Sequence, residues 1–123
     1  MNFENPFFII LIPIGTIFII GGFLMSKYPP KSINHLYGYR TSTSMKNQDI
    51  WDYAQKFSSK KMIKYGLAQT LLSLVGFFNL LPVSLLNMFL GIGLIVILSA
   101  LMIFETESAL KKKLRQIETK NNS

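Results

Sequence analysis

One short stretch concentrates the side chains able to do chemistry: Asn34-His35-Leu36-Tyr37-Gly38-Tyr39-Arg40-Thr41-Ser42-Thr43-Ser44-Met45-Lys46-Asn47. Arg40 is its centre. A guanidinium fork can hold a carboxylate, a phosphate or backbone carbonyls through several donors. It can equally organise its own loop by pairing with Asp49, Asp52 or the carbonyls of a helix end. Gly38 can adopt the positive φ that a tight turn between two tyrosines needs. Tyr37, Tyr39 and Trp51 could line a ligand cleft, anchor the chain at a membrane interface, or pack beneath the loop. His35 is either a pH sensor or a structural residue. Thr41, Ser44, Asp49 and Asp52 show no base–nucleophile arrangement, so an enzyme acting on lipid or peptide is the weakest reading. No catalytic residue is assigned. The chain has no Cys and one His, and its six acids are scattered. Thiolate sites and sites built on two imidazoles are thereby excluded, and neither a metal nor a cofactor is expected.

The elements that must position this stretch follow from where the charges sit. The 123 residues are half hydrophobic, with a mean hydropathy of +0.34 and a net charge of +7. Ser26–Lys64 carries eight Lys or Arg against Asp49 and Asp52, and the tail carries five against three acids. Between these segments lie long uncharged runs. A transmembrane helix needs about 20 apolar residues to cross roughly 30 Å of hydrocarbon. Residues 7–25 meet this, and Pro13 and Gly15 are compatible with a membrane helix. No basic n-region or cleavage site marks the run as a signal peptide. Residues 65–81 and 83–104 form a second and third span, separated by Pro82 and flanked by Asn79 and Ser84. Ser84 can cap the following helix.

The expected fold is therefore all-α: an integral membrane protein with three transmembrane helices, a cytoplasmic loop and an amphipathic interfacial helix. It forms a single membrane domain over residues 1–123. The positive-inside rule places both basic segments in the cytoplasm. Three spans satisfy that with the N-terminus outside and the C-terminus cytoplasmic, in a bacterial cell membrane. Gln69 and Asn79 lie within the second span and Asn87 near the start of the third. Gln69 could line a path or bond between helices. Gly66, Thr70, Ser73 and Gly76 give the second span a small-residue face for close packing, and Gly91 and Ser99 offer the same on the third. No charge lies deep in a span, which argues against a pump or proton-coupled carrier.

Within residues 26–64, Lys27–Thr43 has no regular period, and about 17 irregular residues exceed the usual connection length. A helix is expected to begin near Ser44, capped by Thr43 or Ser44. Ile50, Ala54 and Phe57, with Trp51 alongside, form an apolar stripe. It predicts a helix lying in the interface that turns into the second span near Lys60-Lys61. In the tail, residues 105–123, Leu110, Leu114 and Ile117 repeat the spacing. The tail is read as an exposed extension of the third span, with its basic residues near anionic headgroups.

The series Asn34, Tyr37, Gly38, Tyr39, Arg40, Thr41, Ser44, Met45, followed by Trp51, Ala54 and Phe57, resembles the signature of the SdpI family. Those are small bacterial membrane proteins of immunity type, in which a G-Y-R-T turn precedes a helix bearing W-x-x-A and a membrane hairpin. The position after Thr41 is often Pro in the family and is Ser42 here. The family's named member has a longer, two-part membrane domain, of which this chain carries the three-span unit. The resemblance implies immunity or bacteriocin resistance by binding a membrane-active peptide toxin without turnover. It also implies an alternative role in signal transduction, as a scaffold that captures a cytoplasmic repressor. Membrane lipids are expected partners of the basic loop and tail, nucleic acid is not, and a homo-oligomer stays open.

Overall fold

The computed structural model describes residues 4–78 and 85–121. Three helices run through them in chain order: α1 (Pro6–Lys27), α2 (Gln48–Phe77) and α3 (Leu85–Asn121). There is no strand among the described residues, in line with an all-α class.

Each helix end has a local cause. Asn5 caps α1 by accepting from the Phe7 N–H at 2.9 Å, and Pro6 occupies the first turn, where its missing N–H costs nothing. Pro13 lies inside α1 without ending it. The helix stops where Tyr28 meets Pro29-Pro30, because a residue before Pro is pushed out of the helical region. The start of α2 lies later than expected. Thr43 and Ser44 do not cap it; Asn47 does, accepting from the Ile50 N–H at 2.9 Å. The Ser44 hydroxyl is already engaged within its own turn, bonding to the carbonyls of Tyr39 and Thr41.

The bend expected near Lys60-Lys61 is also absent. α2 continues unbroken for 30 residues. No Gly or Pro occurs between Gln48 and Tyr65, so nothing interrupts the hydrogen-bond ladder there. The interfacial helix and the start of the expected second span are one element.

α1 and α2 pack antiparallel and very close. A Cβ placed on Gly66 would lie 2.8 Å from the Gly15 carbonyl oxygen, and one on Gly22 would lie 2.7 Å from the Ser59 carbonyl oxygen. Ser59, Gly66 and Ser73 recur every seven residues and are all buried, as are Gly15 and Gly22 on the facing helix. A seven-residue repeat of small side chains lets two backbones approach along their whole seam. The small-residue face read on Gly66, Thr70, Ser73 and Gly76 is this seam. Gly91 is buried as well, but a Cβ there would sit an ordinary 3.7 Å from Ile10.

α1 and the first half of α3 are long and apolar enough to cross a membrane, with mean hydropathies of 2.6 and 2.5 over their best stretches. Those stretches are only 22% and 17% buried inside the protein. A core helix of a soluble protein would be mostly buried, so these faces suit lipid. The apolar part of α2 reaches Phe77; the remainder of the expected second span and the hairpin connection, with Asn79, Pro82 and Ser84, lie outside the described residues.

The tail corrects a further expectation. It extends the third helix as one element, α3, to Asn121, but it is not fully exposed: one side packs on the start of α2. Leu110, Ile50 and Ala54 are fully buried together, with Tyr39, Tyr53, Leu114 and Ile117 packed around them. The apolar stripe of the tail thus has a protein partner, and this small core lies directly beneath the loop joining α1 to α2.

Candidate binding loop

The loop from Tyr28 to Asn47 is irregular in backbone but closely tied. Asn34 begins it with a side-chain turn, its Oδ1 accepting from the N–H groups of Leu36 (2.9 Å) and Tyr37 (2.8 Å). The Tyr37 hydroxyl donates to the Tyr28 carbonyl at 2.9 Å, which fastens the loop to the end of α1. Trp51 is fully buried and donates its indole N–H to the Pro30 carbonyl at 2.8 Å. Of the three roles open to Trp51, packing beneath the loop is the one the geometry supports. Tyr37, by contrast, stays 41% exposed, so the two rings do not enclose a cleft.

Gly38 has a φ of 112°, a conformation that L side chains rarely adopt. A Cβ there would also lie 2.7 Å from Gln55 Oε1 and 2.7 Å from Pro30 Cγ. The absence of a side chain lets Gln55 reach the backbone beyond. Its Oε1 accepts from the Tyr39 N–H at 2.7 Å, and its Nε2 donates to the Tyr39 carbonyl at 2.9 Å. On the other side of Arg40, the Thr41 N–H donates to Ser44 Oγ at 2.8 Å and the Ser44 N–H donates to Thr41 Oγ1 at 3.1 Å. The Met45 N–H closes the turn on the Thr41 carbonyl at 3.1 Å, with the Met45 side chain half-buried.

The chain is therefore clamped both before and after Arg40. The Arg40 side chain is exposed and makes no hydrogen bond or ion pair among the described residues. The pairing with Asp49 or Asp52 left open by the sequence is not formed; Asp52 instead accepts from Gln48 Nε2 at 2.7 Å. His35 is exposed at the loop tip. Ala54 lies in the small core, and Phe57 is half-buried, stacked on Tyr53 with Lys61 Nζ 5.4 Å from its ring centre. Gln69 is fully buried between the helices, far from the loop, and neither atom of its amide has a partner among the described residues.

α3 holds the assembly with two glutamates. The Tyr39 hydroxyl donates to Glu107 Oε1 at 2.8 Å. Burial pushes the Glu107 carboxyl up, but hydrogen bonds from Thr41, Tyr39 and Thr43, with the Lys111 charge nearby, outweigh it and hold the group below its ordinary range. Burial, and then the Glu107 contact, raise the Tyr39 phenol, so the pair is a neutral phenol donating to a carboxylate. Two residues earlier, Glu105 pairs with Lys61 at 2.6 Å and accepts from the Tyr65 hydroxyl. Lys61, then Tyr65, hold the Glu105 carboxyl below the usual range.

Gln55, Glu107 and Asn47 were not singled out by sequence. A glutamine on the polar side of an amphipathic helix reads as solvated, and only the arrival of the loop buries it. Gln55→Leu keeps the bulk and removes both bonds to Tyr39. The expected cost is about 1–3 kcal/mol in loop stability, because a partly buried N–H loses its acceptor. Amide hydrogen exchange over residues 38–44 should accelerate by about fivefold or more. Unchanged exchange would show that Gln55 is not the clamp.

The profile of the SdpI/YfhL protein family matches residues 31–104, which span the loop, α2 and the apolar half of α3. A relative named "Uncharacterized protein YfhL", from Bacillus subtilis (strain 168), is 49% identical over 53 residues. That alignment covers 43% of this chain and 48% of the relative, so the chain spans about half the length of the curated relative it matches. No solved structure matches. With more than half of its length under the family profile, including every signature residue of the loop, this chain belongs to the SdpI/YfhL protein family.

Proposed function

We propose that the chain is a multi-pass protein of the bacterial cell membrane that confers immunity or resistance by binding a membrane-active peptide, without turnover. The observation that carries this reading is the presentation of Arg40. Two side-chain clamps, one glycine at positive φ and a buried tryptophan hold the loop, while its one guanidinium stays exposed and free of hydrogen bonds and ion pairs among the described residues. A fork held in place in advance loses little freedom on meeting an anionic group, such as a peptide carboxylate.

In this reading the chain crosses the membrane three times, over residues 7–25, 65–81 and 83–104. The N-terminus lies outside, and the loop and tail lie in the cytoplasm. Charge placement supports it, since both basic segments then share the inner side. A reporter enzyme active only in the cytoplasm, fused after Ser123, should be active. Activity from the complementary extracellular reporter would overturn the topology.

A second reading, capture of a cytoplasmic partner such as a repressor, draws support from the same exposed Arg40 and from Lys112, Arg115 and Lys120, which line an open hollow on the tail of α3. Survival separates the two. A sensitive cell producing this chain should withstand the cognate peptide. Arg40→Lys keeps the charge and loses the fork. A lost charge-assisted bond of about 1.5–3 kcal/mol weakens binding roughly 10–100-fold, and protection should fall in step at equal protein level. Killing that is unaffected by the wild-type chain, across a panel of membrane-active peptides, would remove the immunity reading.

A further inference from the structure

The largest apolar side chain the loop leaves uncovered is Leu36, at 92% exposure. Leucine at the tip of a soluble loop is usually mobile, but this one is not free to wander. The side chain of Asn34 accepts from its N–H and from that of Tyr37, and the Tyr37 hydroxyl is bonded to Tyr28. The tip His35-Leu36-Tyr37 is thus built to project Leu36.

Its height along the protein is set by that same Tyr37–Tyr28 bond. Tyr28 is three residues beyond the end of the first apolar run, and Tyr37 Oη is 2.9 Å from its carbonyl. That bond ties the tip to the exposed, apolar end of α1. Lys27 Nζ lies 5.6 Å from the centre of the Tyr28 ring and 6.0 Å from that of Phe23. Tyr28, Phe23 and Leu24 are 62%, 56% and 45% exposed. Aromatic rings with a lysine at the end of an apolar helix are the composition of a membrane interface. Lys27 and Lys31, both exposed, add positive charge beside the tip.

We infer that the His35–Tyr37 tip is a lipid anchor: Leu36 seats in the leaflet beside the Lys27 end of α1, and the basic residues around it meet anionic headgroups. This rests on the membrane-spanning reading of α1. Lipid is chosen over a protein partner because the tip is tied to the exposed apolar end of α1 and because its neighbours Lys27 and Lys31 are basic. The consequence is that the loop bearing Arg40 is held against the membrane from two sides, by the bundle through Gln55 and Glu107 and by the leaflet through Leu36.

The chain has no Cys, so single nitroxide labels can be placed cleanly on the full chain in vesicles of phosphatidylcholine and phosphatidylglycerol in equal parts. Three variants suffice: I17C on the exposed face of α1, L36C, and T119C, which lies roughly 20 Å along α3 beyond the apolar run. Collision with oxygen reports lipid and collision with a neutral nickel chelate reports water. The expected result is that residue 36 matches residue 17 in favouring oxygen, while residue 119 favours nickel. If residue 17 favours oxygen and residue 36 favours nickel, the anchor is wrong and the spanning helix stands. If both favour nickel, the membrane-spanning reading fails and takes the anchor with it. If residue 36 is shielded from both reagents, it is covered by protein, a second copy of the chain, and the lipid assignment is overturned.

Discussion

Trp51→Ala is expected to release the loop from the bundle. The indole is fully buried and its N–H holds the Pro30 carbonyl. Truncating a buried Trp typically costs about 3–5 kcal/mol, and here the loss falls between α2 and the segment that must cross over it. The effect should therefore be local as well as global. Lys31, Arg40 and Lys46 are exposed trypsin sites in that segment, and their cleavage should accelerate by at least about 100-fold in Trp51→Ala, since each 1.4 kcal/mol is tenfold. Trp51→Phe separates the two contributions. It keeps most of the ring and drops only the N–H, for about 0.5–1.5 kcal/mol. The order wild type, Phe, Ala in cleavage rate is the expected outcome. Equal rates for wild type and Ala would mean that the loop is held without the tryptophan.

A second large effect is expected at the α1–α2 seam. Gly66→Leu places its Cβ 2.8 Å from the Gly15 carbonyl oxygen, 2.8 Å from Ile19 Cγ1 and 2.9 Å from the Ile19 nitrogen. Two of those three atoms are backbone, so a side-chain rotation cannot make room and the helices must separate. Overpacking costs about 1–3 kcal/mol when side chains can adjust, and occasionally more. That outweighs the roughly 1 kcal/mol that a helix gains when glycine is replaced by a better helix former. The control is Gly93→Ala, where nothing lies within 4 Å of the added carbon. It should be neutral or slightly stabilising. Denaturation of the purified protein by titration with sodium dodecyl sulfate compares the two. Gly66→Leu should lose its folded state at markedly lower detergent fraction, and a matched pair of midpoints would refute the close seam.

These two sites show what a sequence can and cannot disclose. The α2 side of the seam was readable because small residues at fixed spacing on an uncharged helix have few other uses; that Gly15 and Gly22 of α1 would face it was not, since nothing local pairs one helix with another. α1 and α3 were readable because an uncharged run has one obvious solvent. The loop was readable only as a list of residue types. Nothing local says that Asn47, rather than Thr43 or Ser44, receives the free N–H groups of α2, since all three can accept. Nor does anything local show that the hydroxyl of Ser44 is already committed to its own turn. Gln55 and Glu107 looked solvated because their partners arrive from 16 and 68 residues away. The stripe on the tail was visible, but its mate was the stripe at the start of α2, and two amphipathic segments far apart in sequence do not announce that they meet.

α3 also has a mechanical consequence. It is one helix of 37 residues, roughly 55 Å long, and contains no proline. Glu105 and Glu107, bonded to Lys61, Tyr65 and Tyr39, form a fulcrum partway along it. The arm beyond Glu105 is about 24 Å long, so a tilt of about 10° at the Leu85 end swings Asn121 through about 4 Å. Leu110 rides on that arm against Ile50 and Ala54, and so the floor under the Arg40 loop moves with it. If α3 spans the membrane as proposed, a rod pivoted in this way would carry displacement from one side to the other without changing its own shape.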